Sequence, residues 1–285
     1  MSLWKKNYDY YLGYALGGGG AKGFAHLGAL QILEKCGLKP DAISGTSAGS
    51  LVGVFYADGF HPDEIAELFK KKEFREFVEI SRPKAGLFKT TGLHSFLKKN
   101  LRAKRFEDLN IPLYVVATDW NRAVSVVFSN GDDLIDAVVA SCSVPIIFNP
   151  MYINDVPYVD GGLFKNFPVS VIRKKCKYVV GVNVALMLPP SDKGGIMNVV
   201  ERTFNLMSNS NSIVDKAQCD ILIEAKGTDQ YGMFDLNNID KITSIGYNNA
   251  AVKMSENESW EIVRKCHSHY KRVAHIGHYF DRLRG

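Results

Sequence analysis

Near its start the chain runs from the apolar stretch "YYLGYAL" (10–16) directly into four glycines, "GGGG" (17–20), and then into a mostly apolar run from Phe24 to Cys36. Ordering four glycines has a large entropic cost, so such a stretch marks main chain that turns sharply or approaches another group closely. Strand, bare loop and helix in that order leave backbone N–H groups unsatisfied at the helix start. The helix is expected to end at Gly37, where a C-cap belongs. The loop admits two uses. Gly18, Gly20 and Gly23 spell GxGxxG with Asp41 downstream, the pattern of a dinucleotide-binding turn. The same bare N–H groups can instead meet the oxyanion formed when an ester is attacked.

The next short strand, "DAIS", passes into "GTSAG" (45–49). A serine in GxSxG can sit on a tight strand-to-helix turn with its hydroxyl exposed, and Gly45 and Gly49 omit side chains that would clash there. Ala48, Leu51, Val52 and Phe55 recur at helical spacing. A helix starting at Ala48 turns its positive end and free N–H groups toward Ser47. Asp41 fits the nucleotide pattern poorly, because it precedes the second strand rather than ending it. A nucleophile beside preorganised donors is what acyl transfer requires, so the loop is read as meeting an oxyanion. A third element is "YVDGG" (158–162), where Asp160 ends a short apolar run and Gly161 and Gly162 follow.

Strands are expected at "PLYVVATDW", at "AVSVVFS" with a turn at Asn130-Gly131, at "YVVGVNVAL" and at "CDILIEA". Helices are expected at "HPDEIAELFKKK", at "DDLIDAVVASC", after Thr91 as cap, and from about Asn237 onward. This alternation argues for α/β: a mostly parallel sheet covered on both faces. The length of 285 residues suits a single domain, 1–285, with "PPSDKGG" (189–195) as its best internal loop. A net charge of +5 does not by itself imply nucleic acid, which would call for a concentrated basic face, and no nucleic-acid partner is expected. Cys36, Cys142, Cys176, Cys219 and Cys266 are dispersed without metal-ligand spacing, as in a reducing compartment. "MSLWKKNYDYYLGYAL" is too polar and aromatic for a signal peptide, and no apolar run is long enough to span a bilayer. A cytoplasmic location is expected, with at most peripheral membrane contact.

Gly18-Gly19-Gly20-Ala21-Lys22-Gly23, Gly45-Thr46-Ser47-Ala48-Gly49 and Asp160-Gly161-Gly162, in this order, resemble the patatin-like lipid acyl hydrolases of the bacterial type. "NFP" (166–168) is similar to the Asn-x-Pro that follows the family's DGG. The resemblance covers about residues 12–185, the expected catalytic core; the part from 186 to 285 is not covered. It implies a three-layer α/β fold with a mostly parallel sheet and a nucleophile elbow between strand and helix. It assigns Ser47 as nucleophile and Asp160 as its base. The oxyanion hole is assigned to Gly18, Gly19, Gly20 and Ala48. Lys22 stands where the family has Arg or Lys, supporting the loop. No metal or organic cofactor is implied, and the implied substrates are phospholipids, lysophospholipids and related esters.

An ordinary aspartate is a weak base for a serine hydroxyl, so the dyad requires an environment that raises its pKa. His267, His269, His275 and His278 follow Asp160 in the order of a triad but sit in no catalytic motif. Ile196, Val199, Val200, Phe204 and Met207 form a helical stripe, either a lid near 189–210 or a core-facing helix. "KKNLRAKR" (98–105) and Lys70–Lys72 offer either a solvated basic face or contact with anionic lipid.

Overall fold

In a computed structural model the described residues are 8–71, 74–77, 79–80, 86–187 and 195–284, with side chains not described at 74–75, 80, 197 and 274–284. In the first part of the chain, β1 (Tyr10–Leu16), α1 (Ala25–Lys35), β2 (Ala42–Thr46) and α2 (Ala48–Ala57) are followed by α3 (Pro62–Lys70) and α4 (Phe74–Phe77). Next come β3 (Glu79–Ile80), β4 (Gly86–Lys89), α5 (Thr91–Asn100), β5 (Leu113–Asp119), β6 (Val124–Phe128) and α6 (Leu134–Ser141). Three short strands, β7 (Ile146–Phe148), β8 (Met151–Ile153) and β9 (Val156–Asp160), lead to α7 (Val169–Arg173) and β10 (Cys176–Asn183). The chain continues through α8 (Ile196–Lys216), β11 (Ile221–Glu224), α9 (Ile239–Met254) and α10 (Asn257–Arg284).

The main sheet has the order β11-β10-β1-β2-β5-β9-β8, with β6 also paired to β5. From β11 to β5 every pairing is parallel. The expected parallel sheet therefore holds through its centre, and its β6, β9 and β8 margin is antiparallel. The β8–β9 hairpin turns at Asn154 and Asp155, both at positive φ, a turn for which these two residue types are suited. A second, small sheet, β3-β4-β7, lies apart.

Strand alternation sorts the core into layers. Leu12, Tyr14 and Leu16 of β1 face the large core with α1, α2, α6 and α9, whereas Ala15 faces Phe167 and Ile172 on the opposite side. Burial of β1 on both faces explains its almost unbroken apolar sequence. Helix α3 begins in a capping box, with His61 Nδ1 accepting from the Asp63 N–H and Glu64 accepting from the His61 N–H. Thr91, expected as a cap, is instead the first residue of α5, and its hydroxyl donates to Glu79.

Two other expectations change. Of the apolar stripe on α8, Ile196 and Val199 are exposed and Val200 is buried, while the inward face continues as Asn205, Ser208, Ser212 and Asp215. Residues 189–194 of the expected loop and lid lie outside the described residues. The C-terminal helix is packed on β1 and α1: His269 stacks on Tyr11 at 3.7 Å and His267 Nε2 donates to the Cys36 carbonyl. The side chains of His275 and His278 lie outside the described residues. No helix among the described residues is long and apolar enough to cross a membrane.

Asp41, the acid of the nucleotide pattern, accepts from the N–H groups of Tyr11 and Leu12 and from the Tyr270 hydroxyl. It thus holds the first residues of β1, at the opposite end of that strand from the glycines. Asp41→Ala is expected to lower unfolding free energy by about 3 kcal/mol, since three donors lose a charged acceptor. Urea denaturation measures this loss, and NAD at millimolar concentration should restore none of it.

Candidate active site

Strand register assembles the site. Leu16 pairs with Gly45, Thr46 with Val116 and Ala117 with Asp160. The ends of β1, β2 and β9 therefore lie in one row across the sheet, although residues 47 and 160 are far apart in sequence.

Ser47 joins β2 to α2 at φ 52°, ψ −123°, a backbone conformation rare outside glycine, and is nearly buried. Its N–H donates to Ser141 Oγ at 2.7 Å, and the Ser141 hydroxyl donates in turn to the Val116 carbonyl at 2.6 Å. The Ser50 hydroxyl donates to the Ser47 carbonyl at 2.7 Å. Both peptide groups of the strained residue are thereby held. Gly49 is required because a side chain there would strike the Leu16 carbonyl.

Asp160 is fully buried at the end of β9. Its N–H donates to the Ser143 carbonyl at 2.9 Å, and its own carbonyl accepts from Thr118 Oγ1 at 3.0 Å. Oδ1 accepts from the Gly162 N–H at 2.7 Å, whereas Oδ2 has no partner of hydrogen-bond geometry. Burial pushes the carboxyl pKa up to about 7, and the Ser47 hydroxyl and the Gly162 N–H oppose part of the rise. Gly161 packs tightly beneath it against the Val116 carbonyl.

The glycine loop is pinned on both sides. The Gly17 N–H donates to Val182, and the Gly17 carbonyl accepts from the buried His26 ring at 2.8 Å. Burial lowers the His26 pKa to about 4, so the ring is neutral and donates through Nε2. The Gly18 N–H is engaged by the Asn166 carbonyl at 3.0 Å, while Asn166 Nδ2 donates back to the Gly18 carbonyl. The Ala21 N–H donates to Met233. This corrects the donor set read from the sequence. Gly18 is already used, whereas Gly19 and Gly20 have no internal partner among the described residues. Gly20 sits at φ +59°, a conformation that favours glycine. Ala48, as the first residue of α2, has an N–H with no acceptor within its helix. Gly23 packs directly on Ala48, and Gly45 on the first turn of α2.

Ser47, Asp160 and Gly18–Gly20 form one end of a cavity of about 160 Å³ whose other walls are mainly apolar, among them Leu51, Leu93, Phe148 and Phe204. Lys22 also lines it, 3.6 Å from Glu201 of α8. Burial lowers the Lys22 pKa and Glu201 partly opposes that. No histidine lines this cavity among the described residues. Nor do those residues contain a cluster of three His, Cys, Asp or Glu side chains able to hold a metal.

Four contributors were not singled out from the sequence. Ser141 and Ser143, in "SCSVP", grip the elbow and the Asp160 strand; two serines at a helix end are the only local signal. Asn211 of α8 donates to the carbonyls of Gly162 and Leu163 and accepts from the Asn166 N–H. Asp215 likewise accepts from the Ser170 N–H and Lys165. This half of α8 is bonded to the turn that carries Asp160.

A family model described as patatin-like phospholipase matches residues 14–172. The chain is 29% identical over 271 residues to "Lysophospholipase NTE1" of Kluyveromyces lactis, covering 83% of this chain but 18% of that protein. It is 29% identical over 226 residues to the uncharacterized protein YqhO of Bacillus subtilis, covering 67% of this chain and 77% of that one. VipD from Legionella pneumophila shares the fold, with a TM-score of 0.53 at 14% identity over 86% of this chain and 67% of that structure.

The raised pKa of Asp160 makes it a cost to stability. The folded state binds its proton more tightly than the unfolded chain, so stability falls as pH rises from 3.8 to about 7 and the penalty stays constant above that. Asp160→Asn keeps an acceptor for Gly162 and removes the buried charge. Its melting temperature is expected to exceed that of the wild type at pH 8, with the gain shrinking toward pH 5 in paired thermal denaturation runs.

Proposed function

The chain belongs to the patatin-like phospholipase family, and we propose that it hydrolyses lipid esters through a Ser47–Asp160 dyad and a glycine-loop oxyanion hole. The observation that carries this reading is the meeting of three groups at the polar end of one apolar cavity. These are a serine on a strained elbow, a buried carboxylate with one oxygen unbonded, and the N–H groups of Gly19 and Gly20, which have no internal partner among the described residues.

In this mechanism Asp160 takes the Ser47 proton as Oγ forms a bond to the ester carbonyl carbon. A pKa near 7 suits a base working at neutral pH. The developing oxyanion is met by the N–H groups of Gly19, Gly20 and Ala48, supported by the positive end of α2. Collapse expels the alcohol, which receives the proton from Asp160, and leaves an acyl group on Ser47. Water then attacks that ester with Asp160 again as base, releasing the fatty acid and restoring the serine. His26 acts on the loop by fixing the Gly17 carbonyl, and Asn166 by bracketing the Gly18 peptide.

The apolar walls fit an acyl chain, and a lysophospholipid is the proposed substrate class by likeness to the fungal relative's name. Peripheral contact with a lipid surface belongs to the same reading, through exposed Ile196 and Val199 on the helix that lines the cavity.

A fluorophosphonate probe is expected to modify Ser47, with Ser47→Ala abolishing both labelling and ester hydrolysis; a mapped adduct on another serine would refute the assignment. The labelling rate should rise with pH through about 7, where Asp160 loses its proton. A Cβ added in Gly19→Ala would overlap only the Val184 side chain, and its nearest backbone atoms lie at ordinary contact distance, so the variant should fold. Its turnover on a short ester is expected to fall about a hundredfold through disturbance of one oxyanion donor. Turnover at the wild-type rate would remove the loop from the mechanism.

A further inference from the structure

Resting on the proposed acyl hydrolysis, we infer that Phe77 sets the acyl-chain length the cavity accepts, acting as the septum between that cavity and a separate surface groove. Among the described residues Phe77 is the one residue that lines both spaces. The groove, of about 540 Å³, has Leu68 and Phe96 among its walls and Lys71 and Lys99 along it. Phe77 itself is only 8% exposed and packs within the core beside Phe69 and Phe96.

Its position is fixed from several sides. The ring stacks on Phe69 with centroids 5.8 Å apart and meets the edge of Phe96 at 5.1 Å. Behind it, Gly92 of α5 lies so close to the Glu76 and Phe77 backbone that an added Cβ would overlap them. The backbone therefore cannot withdraw toward α5 to let a longer chain pass. An acyl group esterified at Ser47 has to run along the apolar walls, because the N–H donors and the carboxylate occupy the polar end.

Phe77 differs from the other apolar walls in what stands behind it. Shortening Leu93, which does not line the groove, enlarges the cavity by the volume removed. Shortening Phe77 joins the cavity to the groove. The tail of a long chain can then leave over Leu68 and Phe96, with its end beside the lysines. Chain length in the wild type is thus limited by one ring, and the limit is removable.

The test uses straight-chain alkyl fluorophosphonates (octyl, dodecyl and hexadecyl) on the full chain, with inactivation rates measured and the Ser47 adduct confirmed by mass. Wild type should react more slowly with hexadecyl than with octyl reagent. In Phe77→Ala the hexadecyl-to-octyl rate ratio should rise roughly tenfold or more, the scale on which hydrophobic pockets discriminate by methylene groups. Phe77→Leu should shift it the same way by less, and it carries the test if the alanine variant does not fold. Leu93→Ala should change the ratio far less than Phe77→Ala. An unchanged ratio in a Phe77 variant that melts like the wild type overturns the inference, as does an equal shift from Leu93→Ala. Failure of every chain length to modify Ser47 overturns the proposed nucleophile, and the inference with it; normal labelling with an unchanged length profile overturns the inference alone.

Discussion

Everything in the site depends on one carboxylate that the fold buries completely. Asp160 has one oxygen satisfied by Gly162 and one left without a partner, and its burial opposes ionisation. Burying a charge without a counterion is among the costliest things a fold can do. Among the described residues no cation pairs with this one: Lys22, the buried lysine of the same cavity wall, is paired with Glu201 instead. The carboxyl is left to hold its proton near neutrality, which is the property a base for serine requires.

Keeping such a group in place demands stabilisation elsewhere, and the hydrogen bonds around it show where it comes from. Ser143 and Thr118 hold the Asp160 peptide groups, Ser141 holds the strained Ser47 amide, and Asn166 brackets Gly18. Helix α8 adds Asn211 and Asp215, which bind the turn after Asp160 and the residues leading into α7. Its C-terminal half therefore belongs to the scaffold of the site. Its N-terminal half contributes Glu201 and Phe204 to the cavity and exposes Ile196 and Val199. One helix combines a structural end and an end at the cavity, a division that its mixed polar and apolar stripe obscures in the sequence.

Much of this arrangement was legible before any coordinates. The strand at 10–16, the elbow at Ser47, the strand terminus at Asp160 and the α/β class rest on glycine placement and apolar runs, which are local signals. The antiparallel edge was not legible, because "MYIND" is too short to show alternation and its turn uses Asn-Asp without glycine. Ser141, Asn211 and the loss of Gly18 as a donor were not legible either. Each depends on tertiary register, such as the pairing of Ala117 with Asp160, and no residue type announces it. Asp41 shows the converse: a pattern that reads as a ligand contact is used up in tying β1 to α10.

The central claim is that Asp160 titrates near neutrality because it is buried, and that the Ser47 hydroxyl is one of the groups that favour its charged form. Carbon-13 NMR of protein labelled at the aspartate carboxyl reads this directly, with the Asp160 signal assigned by its absence in Asp160→Asn. The account predicts a midpoint of about 7 in the wild type. It predicts a higher midpoint in Ser47→Ala, because the hydroxyl that favours the charged form is gone. A midpoint in the ordinary carboxylate range, or one unmoved by loss of the serine hydroxyl, would contradict it.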